Sequence, residues 1–252
     1  MPGAGLRYLP SGYAFISPGD DLDAVVDAML ETGYNEEFCV AADFDPPFVA
    51  DLMGAGFLVM SARLDGEEEE GAAGNRYAKR RRDRERSFIL LPKLHLERSI
   101  LLFPDLHIKR SVRRFLPRYE LRADADFECI LEGCALIHGE DWLTLPLRRS
   151  LIRIRSAGNP PVRPVSFGVY REGKLRAGEV GVITGRVYTS YSGWYEEDSA
   201  GTVQLVLMTE YLRDAGFAFL DLGMPMEYKD KLGARNVDPR RFVELFRSGR
   251  IC

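Results

Sequence analysis

The sequence predicts an α+β fold, and three observations carry the prediction. Apolar residues recur at helical spacing in several separate segments. After residue 160 the period changes to that of strands, with three runs at 165–170, 174–183 and 186–194 punctuated by the turn signals Glu172-Gly173 and Thr184-Gly185. A helix-period stretch at 200–215 then leads into a continuous apolar run at 217–222, as expected of a buried strand.

The elements follow in order. Over 19–33, Leu22, Val25, Val26, Met29 and Leu30 keep helical spacing behind the cap-like Asp20 and ahead of Gly33. A second short helix is predicted at 46–55, opened by Pro46 and stopped by Gly56. Residues 65–87 have no apolar period and read as a charged, mobile loop. Strand-like runs resume at 88–91 and 99–103, followed by helices at 127–137 and 144–155. In the first of these, Phe127, Ile130, Leu131, Cys134 and Leu136 or Ile137 face inward, and the second is rich in Arg on its outer face. In the helix at 200–215, Val203, Val206, Leu207, Tyr211 and Leu212 form one stripe; a last helix closes the chain at 239–247. The expected organisation is a small N-terminal helical/β domain at 1–62, the charged loop at 63–87, and a larger domain at 88–252.

With 46% hydrophobic residues in a chain of 252, the composition excludes a disordered protein. The net charge of −4 argues against a strongly basic nucleic-acid binder, yet the charge is unevenly spread. Residues 1–75 hold 15 acidic and 2 basic side chains, whereas residues 76–118 hold 14 basic and 4 acidic. Such a basic block is a candidate phosphate-contacting surface, because each Lys or Arg that neutralises a phosphate releases a condensed counterion. The plain alternative is a solvated loop in which Lys79 to Arg82 pair with Glu67 to Glu70.

No segment reaches the roughly 18 apolar residues that span a bilayer, and the first residues do not resemble a secretion signal. Cys39, Cys129, Cys134 and Cys252 are scattered, and His95, His107 and His138 do not cluster with them, so neither a zinc site nor a disulfide scaffold is expected. The expectation is a cytoplasmic monomer without metal or cofactor.

The order of antiparallel meander, helix and buried strand resembles the second half of a GNAT-type acyltransferase domain. Members that bind acetyl-CoA enter that helix through a glycine-rich turn that holds a diphosphate. Here the entry is Glu196-Glu197-Asp198-Ser199-Ala200-Gly201, and its acidic residues would repel one.

Several strings, in order along residues 40–247, resemble the bacterial leucyl/phenylalanyl-tRNA–protein transferases. They include Leu106-His107-Ile108-Lys109-Arg110-Ser111-Val112-Arg113-Arg114-Phe115, Ile130-Leu131-Glu132-Gly133-Cys134-Ala135, and Asp141-Trp142-Leu143-Thr144. Near the end come Leu220-Asp221, Leu232-Gly233-Ala234 and Pro239-Arg240-Arg241-Phe242; upstream, Ala42-Asp43-Phe44-Asp45-Pro46-Pro47 through Gly56-Phe57 is similar to the family's G-D-L-S-P region. Collinear weak motifs are stronger than any one alone.

The resemblance implies a small N-terminal domain before a GNAT-like domain, no metal and no CoA. It implies transfer of leucine or phenylalanine from aminoacyl-tRNA to the N-terminal amine of proteins beginning with Arg or Lys, a step of N-end rule protein degradation. Asp221 would poise the attacking amine, the alternative being a strand-end Asp that caps the following turn. Lys109, Arg110, Arg113 and Arg114 would contact acceptor-arm phosphates, unless they form only a solvated helix face. Trp142 matches a motif position that a core Trp would equally fill, and His107 and Glu132 read as structural.

The departures fall on the substrate-binding positions. Gly223 stands where the family has Gln, Tyr191 where it has Glu, and Leu58-Val59-Met60 where it has F-P-W. Met60, Tyr191 and Gly223, together with the motif-matching Trp142, are the residues expected to bind substrate. A GNAT-like N-acyltransferase with another donor or acceptor, and a catalytically silent tRNA-binding paralogue, remain the alternatives.

Overall fold

A computed structural model describes residues 6–64, 88–139, 142–157 and 161–250. Most of the expected charged loop, with Arg76, Lys79 to Arg82, Arg84 and Arg86, lies outside the described residues.

The chain opens with helices α1 (Leu22–Thr32) and α2 (Pro46–Gly54). Asp21, not Asp20, caps α1, its side chain accepting from Ala24 N at 3.1 Å. Asp20 instead accepts from Ser17 N at 2.7 Å and pairs with Arg7. Gly33, at φ 65°, ends the helix as a left-handed residue whose N–H reaches Met29 O. Strands β1 (Leu58–Arg63) and β2 (Phe88–Lys93) pair antiparallel as a two-stranded sheet, in which β1 is an element absent from the sequence expectation.

Next come β3 (Arg98–Leu101), a one-turn helix α3 (Arg110–Arg113), β4 (Glu120–Ala123), and helices α4 (Phe127–His138) and α5 (Leu145–Ser156). Contrary to the expected inward pair, Leu136 and Ile137 of α4 are exposed, because Ala135 completes the buried stripe of Phe127, Ile130, Leu131 and Cys134. The expected meander is present as β5 (Val162–Arg171), β6 (Lys174–Thr184) and β7 (Val187–Tyr195). Glu172 and Gly173, both at positive φ, form the tight turn between the first two.

Helix α6 (Ala200–Asp214), β8 (Phe219–Gly223), the short α7 (Glu227–Asp230), β9 (Arg235–Val237) and α8 (Pro239–Arg250) complete the chain. In α6 the buried face is wider than the expected stripe and rotated from it. Gln204, Leu205, Met208 and Thr209 are buried, while Tyr211 is exposed and meets Phe167 edge to face.

Seven strands form one mixed sheet in the order β4-β5-β6-β7-β8-β3-β9. Its pairs are antiparallel except β7 with β8, which run parallel because α6 crosses between them. The two faces bury different clusters: Val187 and Phe219 belong to one, and their neighbours Tyr188 and Leu220 to the other, as side-chain alternation requires. Helix α6 covers the second cluster. The first is shared by α4, α5 and α8 with α1, α2 and β1, so the N-terminal helices pack into the same core as the large sheet.

Candidate active site

Strand β8 is buried along its whole length and lies between β7 and β3, with Asp221 in register with Thr189 on one side and Ile100 on the other. Asp221 has no exposed surface and Arg98 is 1% exposed. Taking two such charges out of water costs several kcal/mol per ion unless every lone pair is satisfied, and here each carboxylate oxygen takes two donors. Arg98 Nε (2.8 Å) and Gly223 N (3.0 Å) donate to Oδ1; Arg98 Nη2 (2.6 Å) and Thr189 Oγ1 (2.9 Å) donate to Oδ2. The Phe242 ring of α8 lies 4.3 Å from the guanidinium carbon and holds it by cation–π attraction.

This geometry realises the turn-capping alternative for Asp221 and adds an ion pair that the sequence did not reveal. Both oxygens are occupied, so in this arrangement the carboxylate offers no free lone pair to an amine arriving from solvent. Gly223, at φ 70°, makes the turn; an L side chain there is strained.

Of the expected substrate-binding residues, Met60 lies on β1, and Tyr191 and Trp142 are bonded to that strand. Tyr191 Oη accepts from Val59 N at 3.0 Å and donates to Phe57 O at 3.4 Å; burial raises the phenol well above its ordinary value. Ser61 donates to Trp142 O through both its backbone N (2.9 Å) and its Oγ (3.0 Å). Half-buried Met60 stands between those two attachment points. Trp142 is half-buried and packs on the core. Tyr191 is two residues beyond Thr189 on β7, so Met60, Trp142, Tyr191, Asp221 and Gly223 are joined by one run of hydrogen bonds and strand.

Three buried polar residues near this junction were absent from the sequence expectation. His95 is 3% exposed, and Nε2 is its nearest atom to a Cβ built on Gly223, at 3.9 Å. Lys229 donates to Leu222 O (2.6 Å) and Met224 O (2.8 Å), and its own burial lowers its pKa. Glu179 accepts from Tyr188 Oη at 3.1 Å, with Ser190 and Gln204 as further partners; burial raises its pKa against the pull of those bonds and of Lys229. The available signal for Glu179 was an acidic residue inside the apolar run Gly178 to Ile183.

Lys109, Arg110, Arg113 and Arg114 are all exposed at α3, and none has an ion-pair partner among the described residues. Two other members of the basic block are already paired: Arg98 is buried against Asp221, and half-buried Lys93 pairs with exposed Glu37 at 2.7 Å. Glu132 pairs with Arg148 at 3.5 Å, and the backbone N of exposed His107 donates to Leu232 O. Glu197, at the entry to α6, is held by Arg171 (2.8 Å) and Tyr119 (2.7 Å). No helix among the described residues is long and apolar enough to cross a membrane.

Comparison with known proteins sets this geometry in a family. The chain is 31% identical over 129 residues to the leucyl/phenylalanyl-tRNA–protein transferase of Pseudomonas entomophila (strain L48), covering 50% of this chain and 55% of that one. To the transferase of the same name from Pseudomonas paraeruginosa (strain DSM 24068 / PA7) it is 29% identical over 130 residues, covering 50% and 56%. The chain thus spans about half the length of the curated relatives it matches. Among solved structures it is similar to FemX, with a TM-score of 0.48 and 12% identity over 92% of this chain and 81% of that one. The family model described as leucyl/phenylalanyl-tRNA protein transferase matches residues 100–247, more than half of the chain, from β3 through the Asp221 turn to α8. The chain belongs to the leucyl/phenylalanyl-tRNA protein transferase family.

Proposed function

We propose that this protein is an aminoacyltransferase that moves an amino acid from aminoacyl-tRNA to the N-terminal amine of a protein. The observation that supports this best is a built polar junction in the matched span: Asp221, Thr189 and Gly223 lie within it, where the parallel pairing of β7 with β8 stops, and are locked by Arg98, which stands just ahead of it on β3. The chemistry is aminolysis of an ester, which needs alignment of amine and carbonyl, removal of a proton and stabilisation of a tetrahedral oxyanion.

In this reading the large domain is GNAT-like, with α6 between two parallel strands. Asp221 is a positioning residue that fixes the Arg98 guanidinium and the Gly223 turn. Met60, Trp142 and Tyr191 shape the donor side of the site, and Lys109, Arg110, Arg113 and Arg114 steer the acceptor arm of the tRNA. Leucine or phenylalanine is the donor residue, and proteins beginning with Arg or Lys are the acceptors, in the cytoplasmic N-end rule route of degradation. Neither metal nor CoA takes part.

The test is incubation with a pool of radiolabelled aminoacyl-tRNAs and peptides differing in their first residue. Transfer of Leu or Phe to an Arg or Lys peptide supports the reading in full. Transfer of another amino acid assigns a changed specificity to Tyr191 and Gly223. Binding of tRNA with no transfer to any peptide favours a silent tRNA-binding paralogue, and protection from heat by acyl carriers in place of tRNA favours a different donor.

A further inference from the structure

His95 Nε2, Arg98 Nη1 and Ser99 Oγ, close together in sequence, are buried and have no hydrogen-bond partner among the described residues. Leaving such an atom unpaired in the interior is costly. His95 and Arg98 stand together at the end of β8. Ser99 is in register with Gly223, and Arg98 reaches Asp221 two residues earlier. Gly223 has no side chain to fill the space toward His95, whose Nε2 lies 3.9 Å from a Cβ built there. Just outside, Leu96 and Met224, the residues that follow His95 and Gly223, are exposed apolar side chains at 44% and 52%.

The electrostatics select what this place receives. Burial, then Arg98, Lys93 and Lys229, push the His95 imidazole down to about 2, so the ring is neutral throughout the working range, and in its Nε2–H tautomer it brings an N–H without a charge. The charges that act on the ring are cations, Arg98 and Lys93 each paired with a carboxylate and Lys229 bound to two carbonyls, and they favour an oxygen carrying negative charge over an ammonium.

We propose that His95 Nε2 and Arg98 Nη1 are the paired donors that receive the carbonyl oxygen of the donor ester as it becomes an oxyanion. The inference rests on the aminoacyl-transfer reading. In the step, the amine nitrogen attacks the ester carbon and forms the C–N bond while the carbonyl π pair moves onto oxygen, toward His95 and Arg98. Collapse re-forms the carbonyl and breaks the bond to the ribose oxygen of the terminal adenosine. That oxygen takes up the proton shed by the nitrogen, leaving an amide and a free hydroxyl. Neutral His95 stays neutral throughout and only donates. His95 precedes the segment 100–247 that the family model matches, so the pairing is read from this structure alone.

The experiment compares wild type, His95→Phe and His95→Gln, using Leu- and Phe-loaded tRNA with an Arg-initiated peptide. His95→Phe keeps the ring volume and removes the donor; it is expected to lower kcat on the order of 10²-fold with KM for the loaded tRNA little changed. Because it also deletes an orphaned polar atom, its Tm is expected to equal or exceed that of wild type, and His95→Gln, which restores an N–H, is expected to recover part of kcat. Wild-type kcat in His95→Phe overturns the inference while leaving the function intact. So does a loss of kcat that tracks a fall in Tm and is not relieved by Gln, since that marks a structural residue. A folded wild-type protein that transfers nothing from any aminoacyl-tRNA overturns the functional reading and this inference together.

Discussion

Arg98 and Asp221 stand 123 residues apart in the chain and meet as a bidentate pair at 2.8 and 2.6 Å in the interior of the sheet. Removing one partner leaves the other charge buried and alone. Asp221→Ala is therefore expected to cost about 3–5 kcal/mol in urea unfolding, and the double replacement Arg98→Met with Asp221→Leu distinctly less. Neither is expected to transfer an amino acid. A loss below about 1 kcal/mol for Asp221→Ala, the range of an exposed pair, would show that water already reaches the site.

The exposed cations at α3 make a different kind of prediction, since they contribute to binding and not to the fold. Neutralising Lys109, Arg110 and Arg113 one at a time is expected to leave Tm unchanged and weaken tRNA binding. Each substitution should also flatten the slope of log affinity against log salt by about 0.7–0.9. Binding that does not respond to salt would remove these residues from the interface.

Tyr191 joins β7 to the start of β1 through Val59. Tyr191→Phe keeps the ring and loses the hydroxyl, an expected cost of about 1 kcal/mol by urea denaturation. With β1 loosened next to Met60, KM for the aminoacyl-tRNA is expected to rise more than kcat falls. The reverse pattern would place the hydroxyl among the groups that act on the reacting atoms.

Glu179 gives stability a pH dependence. Its folded-state pKa is raised by burial, so the fold favours the protonated form. That contribution is whole below the unfolded carboxyl range and is lost as pH rises through the raised value. Glu179→Gln removes the titration and keeps an acceptor for Tyr188, so the variant is expected to gain in Tm over wild type at pH 9, with the gap narrowing toward pH 4. A gap independent of pH would mean that Glu179 titrates as an ordinary carboxylate.

The sequence made the regular elements readable and the polar interior opaque, for a physical reason. Helix α1 announces itself through Val25, Val26 and Met29 and through Gly33, and the meander through the Glu172-Gly173 turn, because periodicity and turn chemistry are local. Strand β1 escaped notice because Leu58 to Arg63 is short and its partner begins only at Phe88. Asp221 was visible at the end of an apolar run, and Tyr191 and Trp142 bond to Val59 and Ser61, on either side of Met60. Arg98, however, looked like one more surface cation, since nothing local tells a buried guanidinium from an exposed one. Its burial follows from β3 pairing with β8 and β9, a relation between distant segments that no window of sequence contains.

That pairing also sets a timetable for synthesis. A nascent chain that has emerged only through β7 can close the meander, whose contacts are local, but it lacks both the strand that neutralises Arg98 and the Phe242 ring beneath it. Non-local contacts must wait for their loop-closure entropy to be met. The chemistry-bearing end of the sheet is thus the last part to be completed, and a chain still on the ribosome at that stage holds an unneutralised arginine where the finished protein holds a carboxylate with four donors.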